Sequence, residues 1–291
     1  MVIVRLNGGL GNQMFQYAAG RALAGRLGAE LLLDTRAFEH ALAFQPYSRR
    51  AYALSPFRLR ARLATASDLK GWPVWVVAIG MRLRFVRPLF RRWHFESALT
   101  YDPGLRTLHE PVCLVGYWQS ERYFIDVADG IRADFTLQEG LCGANAKLLE
   151  LAHSAGSVGL HVRRGDFVSL SSAAQVHGLC SIDYYRRAID LVRKRYPECH
   201  FLVFSDDPQW ARAELPLDSS AVFVTGNAER PEQDLILMSA CNHHITANSS
   251  FSWWGAWLAV NPSKIVIAPK RWFSDARHDS SDLIPDGWIR M

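Results

Sequence analysis

The feature that most constrains this chain is a regular alternation of helix-like and strand-like segments that begins near residue 140. Helical spacing over 143–154 leads to an apolar run at 157–161. The succession then repeats as 183–196 and 200–205, 208–214 and 221–225, 231–240 and 243–246, and 250–259 and 264–268. Strands separated by helices in this way predict a parallel, doubly wound α/β sheet. Such sheets bind ligands at the carboxyl ends of their strands, so the polar residues just after each strand are the candidates for function.

The N-terminus repeats the theme once. Val2 to Leu6 reads as a short strand, and Asn7-Gly-Gly-Leu-Gly-Asn12 as a tight turn that exploits the freedom of glycine. A helix is expected over 13–27, with Phe15, Ala18, Ala19, Ala22, Leu23 and Leu27 at helical spacing, and a second strand over 30–34. From residue 35 to about 101 no element is assignable. An apolar run at 112–116 then precedes Tyr117-Trp-Gln-Ser120. The junction between the halves falls near 140–156, which gives expected domains of 1–145 and 146–291.

Charge is unevenly spread. Residues 1–100 hold 15 Lys+Arg against 5 Asp+Glu, and residues 101–291 hold 18 against 23, so the halves carry +10 and −5. A basic half suits an anionic lipid surface or a phosphorylated substrate. No nucleic-acid-binding signature is present, and nucleic acid is not an expected partner. Arg82, Arg84, Arg87, Arg91 and Arg92 punctuate an apolar stretch. That pattern fits either a solvated basic helix face or peripheral attachment to anionic membrane. The uncharged stretch 71–81 is too short to span a bilayer. Cys113, Cys142, Cys180, Cys199 and Cys241 are odd in number and scattered, which fits a reducing cytoplasm and neither a disulfide framework nor a zinc site. The opening residues lack the features of a secretory signal, so a cytoplasmic protein is expected.

Three motifs follow strands. His161-Val-Arg-Arg-Gly-Asp-Phe167 places two guanidinium groups at a strand end, a geometry suited to phosphate oxygens or to an ion pair with Asp166. Phe204-Ser-Asp-Asp-Pro208 offers two carboxylates that can grip a ribose, a base edge or a metal, or can cap the next helix, since Asp before Pro is a helix-start signal. Asn248-Ser-Ser-Phe-Ser-Trp-Trp-Gly-Ala256 supplies hydroxyls and open N–H groups at a helix start, with Trp253, Trp254 and Trp257 expected to pack against the sheet. There is no GxGxxG fingerprint, no Walker A sequence and no Asp-x-Asp. A bound diphosphate would then be neutralised by arginines and helix N-termini, without a metal.

Together with Gly8-Gly-Leu-Gly-Asn-Gln-Met-Phe-Gln-Tyr17, these motifs resemble glycosyltransferase family 11, the bacterial relatives of the α-1,2-fucosyltransferases, in the family's order and over nearly the whole chain. The resemblance implies a GT-B fold of two α/β Rossmann-like domains. It also implies metal-independent, inverting transfer of L-fucose from GDP-fucose to the 2-hydroxyl of a galactose, with no cofactor, in surface polysaccharide or O-antigen synthesis. By position, Arg163 and Arg164 match the arginines on the donor diphosphate, and His161 a residue close to the nucleotide. Asp206 or Asp207 matches an acidic group near guanine or ribose. Asn248, Ser249 and Ser250 match a phosphate-side loop, and Gly9, Gly11 and Asn12 a loop lining the cleft. Arg163, Asp166 and Asn12 are the candidates for the reacting centre, with Asp166 or no enzymic group as base. Two other readings compete: a non-catalytic carbohydrate-binding module, and a transferase of the same architecture with another sugar nucleotide.

Overall fold

A computed structural model of the chain describes residues 1–39, 50–165, 178–275 and 279–291. It divides into two compact units, 1–138 with 279–283, and 139–278 with 284–291. The division lies a few residues before the expected 145/146 boundary, and the segment 279–283 returns to the first unit before the chain rejoins the second.

The first unit is a five-stranded parallel sheet in the order β3-β2-β1-β5-β4. Its strands are β1 (Val2–Arg5), β2 (Leu31–Asp34), β3 (Arg62–Leu63), β4 (Trp93–Phe95) and β5 (Val112–Val115). Helix α1 (Leu10–Leu27) connects β1 to β2. It starts earlier than the expected residue 13. Gly9 is its N-cap, and Gly11 and Asn12 lie in its first turn, not in the preceding loop. The side chain of Gln13 makes this start possible. It donates to the carbonyls of Gly8 at 2.9 Å and Ala51 at 2.8 Å and accepts from the Ala53 N–H, so glycine's poor helix propensity is offset by buried hydrogen bonds.

Glycine matters again where α1 meets the sheet. A Cβ built on Gly20 would clash with the Val4 side chain and lie 3.1 Å from Leu31 Cδ1. Val4 and Leu31 are buried strand residues with no room to retreat. Overpacking of this kind costs about 1–3 kcal/mol, against roughly 1 kcal/mol that alanine gains over glycine in a helix. Gly20→Ala is therefore expected to lower the urea midpoint at unchanged slope, by about 1 kcal/mol net. A stabilised variant would show that α1 is not seated this closely on β1.

The stretch 50–101, where the sequence shows no regular element, holds two short strands, helix α2 (Val74–Arg82) and a 3₁₀ segment, Arg84–Leu89. Strands of two and three residues are too short to show a period. The core of this part gathers Trp72, Val76, Val77, Trp93, Phe95 and Cys113.

The second unit carries the predicted alternation. Helix α3 (Ala128–Asp134) closes the first unit, and α4 (Ala144–His153) opens the second before β6 (Ser157–Val162). Then follow α5 (Ile182–Arg195), β7 (His200–Ser205), α6 (Pro208–Glu214), β8 (Val222–Val224), α7 (Pro231–Ala240), β9 (His243–Ile245), α8 (Ser250–Leu258) and β10 (Val266–Ala268). A sixth strand, β11 (Ile289–Arg290), lies at the edge, and the parallel order is β11-β10-β9-β6-β7-β8. Trp253, Trp254 and Trp257 are all buried, as their spacing predicted. Two parallel α/β units in one chain are the fold content of the GT-B class.

The strand order fixes where each unit can bind a ligand. In the second unit the chain winds from β6 outward through β7 and β8, then restarts at β9 on the other side of β6. Loops after β6 and β9 diverge there and leave a crevice. In the first unit the chain winds from β1 through β2 to β3, then enters at the edge strand β4 and returns inward to β5, so the ends of β1 and β5 are neighbours.

Candidate active site

The register of β6 and β7 pairs His161 with Phe204 and Val162 with Ser205. Residues 163–165 therefore leave the sheet beside residues 206 and 207. The result is a clasp. Asp206 receives the Arg163 guanidinium at 3.1 Å, the Arg164 backbone N–H at 2.8 Å and the Gly165 N–H at 3.0 Å. A side chain at position 165 would put its Cβ 2.9 Å from the Asp206 carboxylate, so glycine is what lets this acid approach the backbone.

Arg164 is held from two sides. Its Nε donates to Asp207 at 3.3 Å, and its guanidinium lies 4.1 Å over the Trp210 ring. Asp207 also caps α6, accepting from the Trp210 N–H at 3.1 Å with Pro208 at the first helical position. Capping was one of the two roles open to these acids from sequence. In this geometry both carboxylates accept from the protein's own donors. They position the arginines. Arg163 and Arg164 stay 26% and 21% exposed, enough to reach a ligand while their direction is fixed.

His161 is the last inward residue of β6 and is buried. Burial, helped by the Arg163 charge, pulls its pKa down to about 3. The ring is thus neutral at any physiological pH and adds no positive charge beside Arg163. Its Nδ1 has no hydrogen-bond partner among the described residues, its ring lies 5.4 Å from that of Phe251, and its carbonyl accepts from the Tyr185 hydroxyl at 3.2 Å. Asp166 lies outside the described residues.

After β9, Ser249 caps α8 by accepting from the Phe251 N–H at 3.3 Å, and Ser250 begins the helix. Three bare N–H groups at such a start form an anion seat. Asn248 has a different task. Its amide donates to the carbonyls of Gly178 at 3.3 Å and Trp272 at 3.2 Å, and its oxygen accepts from Cys180 Sγ at 3.4 Å. Asn248 is buried and ties three loops together, which fixes the position of the loop that carries Ser249 and Ser250.

In the first unit, Gly8 adopts φ +77°, and a Cβ there would sit 2.7 Å from Asn12 Nδ2. Asn12 Oδ1 accepts from Gln119 Nε2 at 2.8 Å, which joins the start of α1 to the loop after β5. Gln16, buried in α1, fixes the same place by accepting from the Asn7 N–H and donating to the Gly116 carbonyl, both at 3.0 Å. Gly9 borders open space.

The loop after β5 was not among the sequence-derived site residues. Trp118 adopts φ +58°, a left-handed backbone that costs a non-glycine residue about 1–3 kcal/mol. Glu96 offsets it, accepting the N–H groups of Tyr117 and Trp118, both at 2.8 Å. Burial raises the Glu96 pKa while those two bonds hold it down. The only sequence signal was the polar run 117–120 directly after a strand.

Among the described residues, no group of three or more His, Cys, Asp or Glu side chains is placed to hold a metal ion. The charge in the second unit's crevice comes from two arginines braced by two acids, beside a helix N-terminus. This is a constellation for an anionic leaving group.

The comparisons give the chain its class. The profile of Glycosyl transferase family 11 matches residues 105–291. The chain is 34% identical over 302 residues to an Escherichia coli alpha-1,2-colitosyltransferase, covering 100% of this chain and 99% of that one. It is 32% identical to the E. coli O-antigen biosynthesis glycosyltransferase WbnK, over 98% and 99% of the two chains. Mouse galactoside 2-alpha-L-fucosyltransferase Sec1 is 28% identical over 89% of this chain and 64% of its own length. The chain is a glycosyltransferase. It belongs to glycosyltransferase family 11.

Proposed function

We propose that the chain transfers L-fucose, or its 3-deoxy relative colitose, from a GDP-activated donor to the 2-hydroxyl of a galactose residue in a surface polysaccharide or O-antigen glycan. The observation that carries this reading is the clasped Arg163–Arg164 pair at the β6/β9 reversal, next to the Ser249–Ser250 helix start. The names of the colitosyltransferase and of the mouse fucosyltransferase support a deoxyhexose donor and a 1,2 linkage, and that of WbnK supports O-antigen synthesis.

In the reaction, the bond from the sugar's anomeric carbon to the diphosphate oxygen breaks as a bond to the acceptor oxygen forms on the opposite face. The transition state carries oxocarbenium character. Negative charge grows on the departing diphosphate, and Arg163 and Arg164 stabilise it from fixed positions, without reorganising when the bond breaks. His161, neutral, adds polarity without competing charge. The acceptor proton leaves to Asp166 or to solvent. The first unit selects the acceptor, with Gly9 and Asn12 at the turn between β1 and α1. No metal takes part in this scheme.

The experiment that tests it offers GDP-fucose and GDP-colitose to the purified chain with a set of β-galactosides, with and without EDTA. The expected product is an α-1,2 linkage, formed at an unchanged rate when EDTA is present. A different linkage, turnover only with a UDP-sugar, or collapse under EDTA overturns the reading. Binding of GDP with no turnover on any galactoside would favour a carbohydrate-binding module.

A further inference from the structure

Helix α2 breaks the usual rule for a surface helix, which is apolar on one stripe and polar on the other. Val76, Val77 and Gly80 face the core of the first unit. The opposite stripe, Trp75, Ala78, Ile79 and Arg82, is also largely apolar, and it is exposed. The 3₁₀ segment that follows adds more. Trp75 is 56% exposed, Met81 66%, Phe85 79% and Leu89 77%, with Leu83 between them also exposed. These side chains are consecutive surface features of one 15-residue stretch, 75–89. Scattered exposed apolar residues need no explanation, but a contiguous cluster marks an interaction surface.

The charge around the cluster has one sign. From residue 69 to residue 95 there is no Asp or Glu, whereas Lys70, Arg82, Arg84, Arg87, Arg91 and Arg92 all fall within it. Arg82, Arg84, Arg91 and Arg92 are exposed. Arg87 is turned inward, donating to the carbonyls of Gly80 at 2.8 Å and Glu96 at 3.2 Å, and so holds the 3₁₀ segment against α2. Trp75 packs edge-on against Phe90 with ring centroids 6.0 Å apart, which presents an aromatic rather than a lone side chain at the rim. No helix among the described residues is long and apolar enough to cross a membrane.

We propose that residues 75–92 form a peripheral docking surface for an anionic lipid bilayer. Phe85, Leu89, Met81 and Trp75 enter the headgroup boundary while Arg82, Arg84, Arg91 and Arg92 meet lipid phosphates. Charge complementarity selects this occupant. A second copy of the chain would set this arginine cluster against itself, and an apolar protein partner would leave the arginines unmatched. The transferase reading is not required for it, so either proposal can fail alone.

The test is flotation of the full chain with vesicles of phosphatidylcholine, plain or containing about 30 mol% phosphatidylglycerol. Binding to the anionic vesicles is expected, at least tenfold above plain ones, and it should fall steeply when salt is raised to about 1 M. Phe85→Ser with Leu89→Ser should weaken it roughly 100-fold, about tenfold for each apolar side chain. Arg82→Gln with Arg91→Gln should weaken it about 25-fold, near fivefold for each charge, and leave transfer to a soluble acceptor unchanged. Thermal melting of both variants reports whether the fold is kept. Failure of the wild type to float, equal binding to neutral vesicles, or indifference to both variants overturns the proposal. So does a concentration-dependent dimer in sedimentation that the apolar variant abolishes, since the surface would then belong to self-association.

Discussion

Arg163→Ala is expected to lower kcat by about 10²–10³-fold and to leave the melting temperature nearly unchanged. The guanidinium stands at the end of β6, 26% exposed, and its ion-pair partner Asp206 is itself 24% exposed, so removing it strands no deeply buried charge. What is lost is a fixed positive group aimed where diphosphate charge develops. Because that charge is larger in the transition state than in the bound donor, kcat should fall more than donor affinity. Arg163→Lys restores the charge but not the fork, and is expected to recover only part of the rate. Asp206→Asn gives a separate signature. It keeps the shape but weakens three hydrogen bonds that hold residues 163–165, so a smaller loss is expected, spread over KM and kcat. Steady-state rates against GDP-fucose concentration for the three variants decide the matter. Near-normal turnover by Arg163→Ala would remove the arginine pair from the chemistry. The neutral ring of His161 makes a further check possible: with its pKa near 3, no limb of the pH–rate profile between 5 and 8 should disappear in a His161 variant.

Which of these features were legible in the sequence follows from the range over which each one acts. Helices α6 and α7 begin at Pro208 and Pro231, and the sequence placed both without error because the starting signal is local. The capping role of Asp207 was legible for the same reason. The partnership of Arg163 with Asp206 was not. It depends on Val162 standing opposite Ser205, a register that only the folded sheet sets, and the nearer acid in sequence, Asp166, was the natural guess. The start of α1 was misplaced because Gly11 argues against helix locally, while the bonds made by Gln13 reach residues 51 and 53. The bonds that Asn248 makes between loops were not legible either. Its partners, Gly178 and Trp272, are distant in the chain and became visible only in three dimensions. Helix α2 was missed for a different reason. It is apolar on both faces, so it has no period to detect, and the same property makes it a surface that needs a partner.

Asp34→Asn is expected to produce the largest loss of stability, about 3–5 kcal/mol, because it removes the negative member of a buried charged trio. Asp34 is fully buried at the end of β2, where the register sets it opposite Arg5 at the end of β1. Arg36 reaches back to bind both carboxylate oxygens, at 2.9 and 2.8 Å, and donates to the Trp72 carbonyl at 3.0 Å. Arg5, only 4% exposed, adds a longer contact of 3.4 Å. Burial by itself would raise the Asp34 pKa, but the Arg36 hydrogen bonds and the Arg5 charge outweigh it, and the carboxyl is held below its usual range. A depressed carboxyl pKa contributes stability that is present above the unfolded value, near 3.9, and is lost as pH falls through the lower folded value. Asparagine keeps the volume, so no cavity confuses the result; it takes the Asp34 charge away from the buried Arg5 and the partly exposed Arg36. At pH 7 the melting temperature should drop by roughly 10 °C, on a scale of about 2–4 °C per kcal/mol for a chain of this size. Toward pH 3 the gap between wild type and variant should narrow, because acid protonates Asp34 in the wild type and removes what the variant already lacks. The consequence reaches the first unit's candidate loop, since the Leu6 N–H donates to the Asp34 carbonyl at 3.0 Å just before the turn at Gly8 and Gly9. A loss below about 1 kcal/mol at pH 7, or a gap that widens in acid, would mean that the trio is not the electrostatic anchor of this sheet.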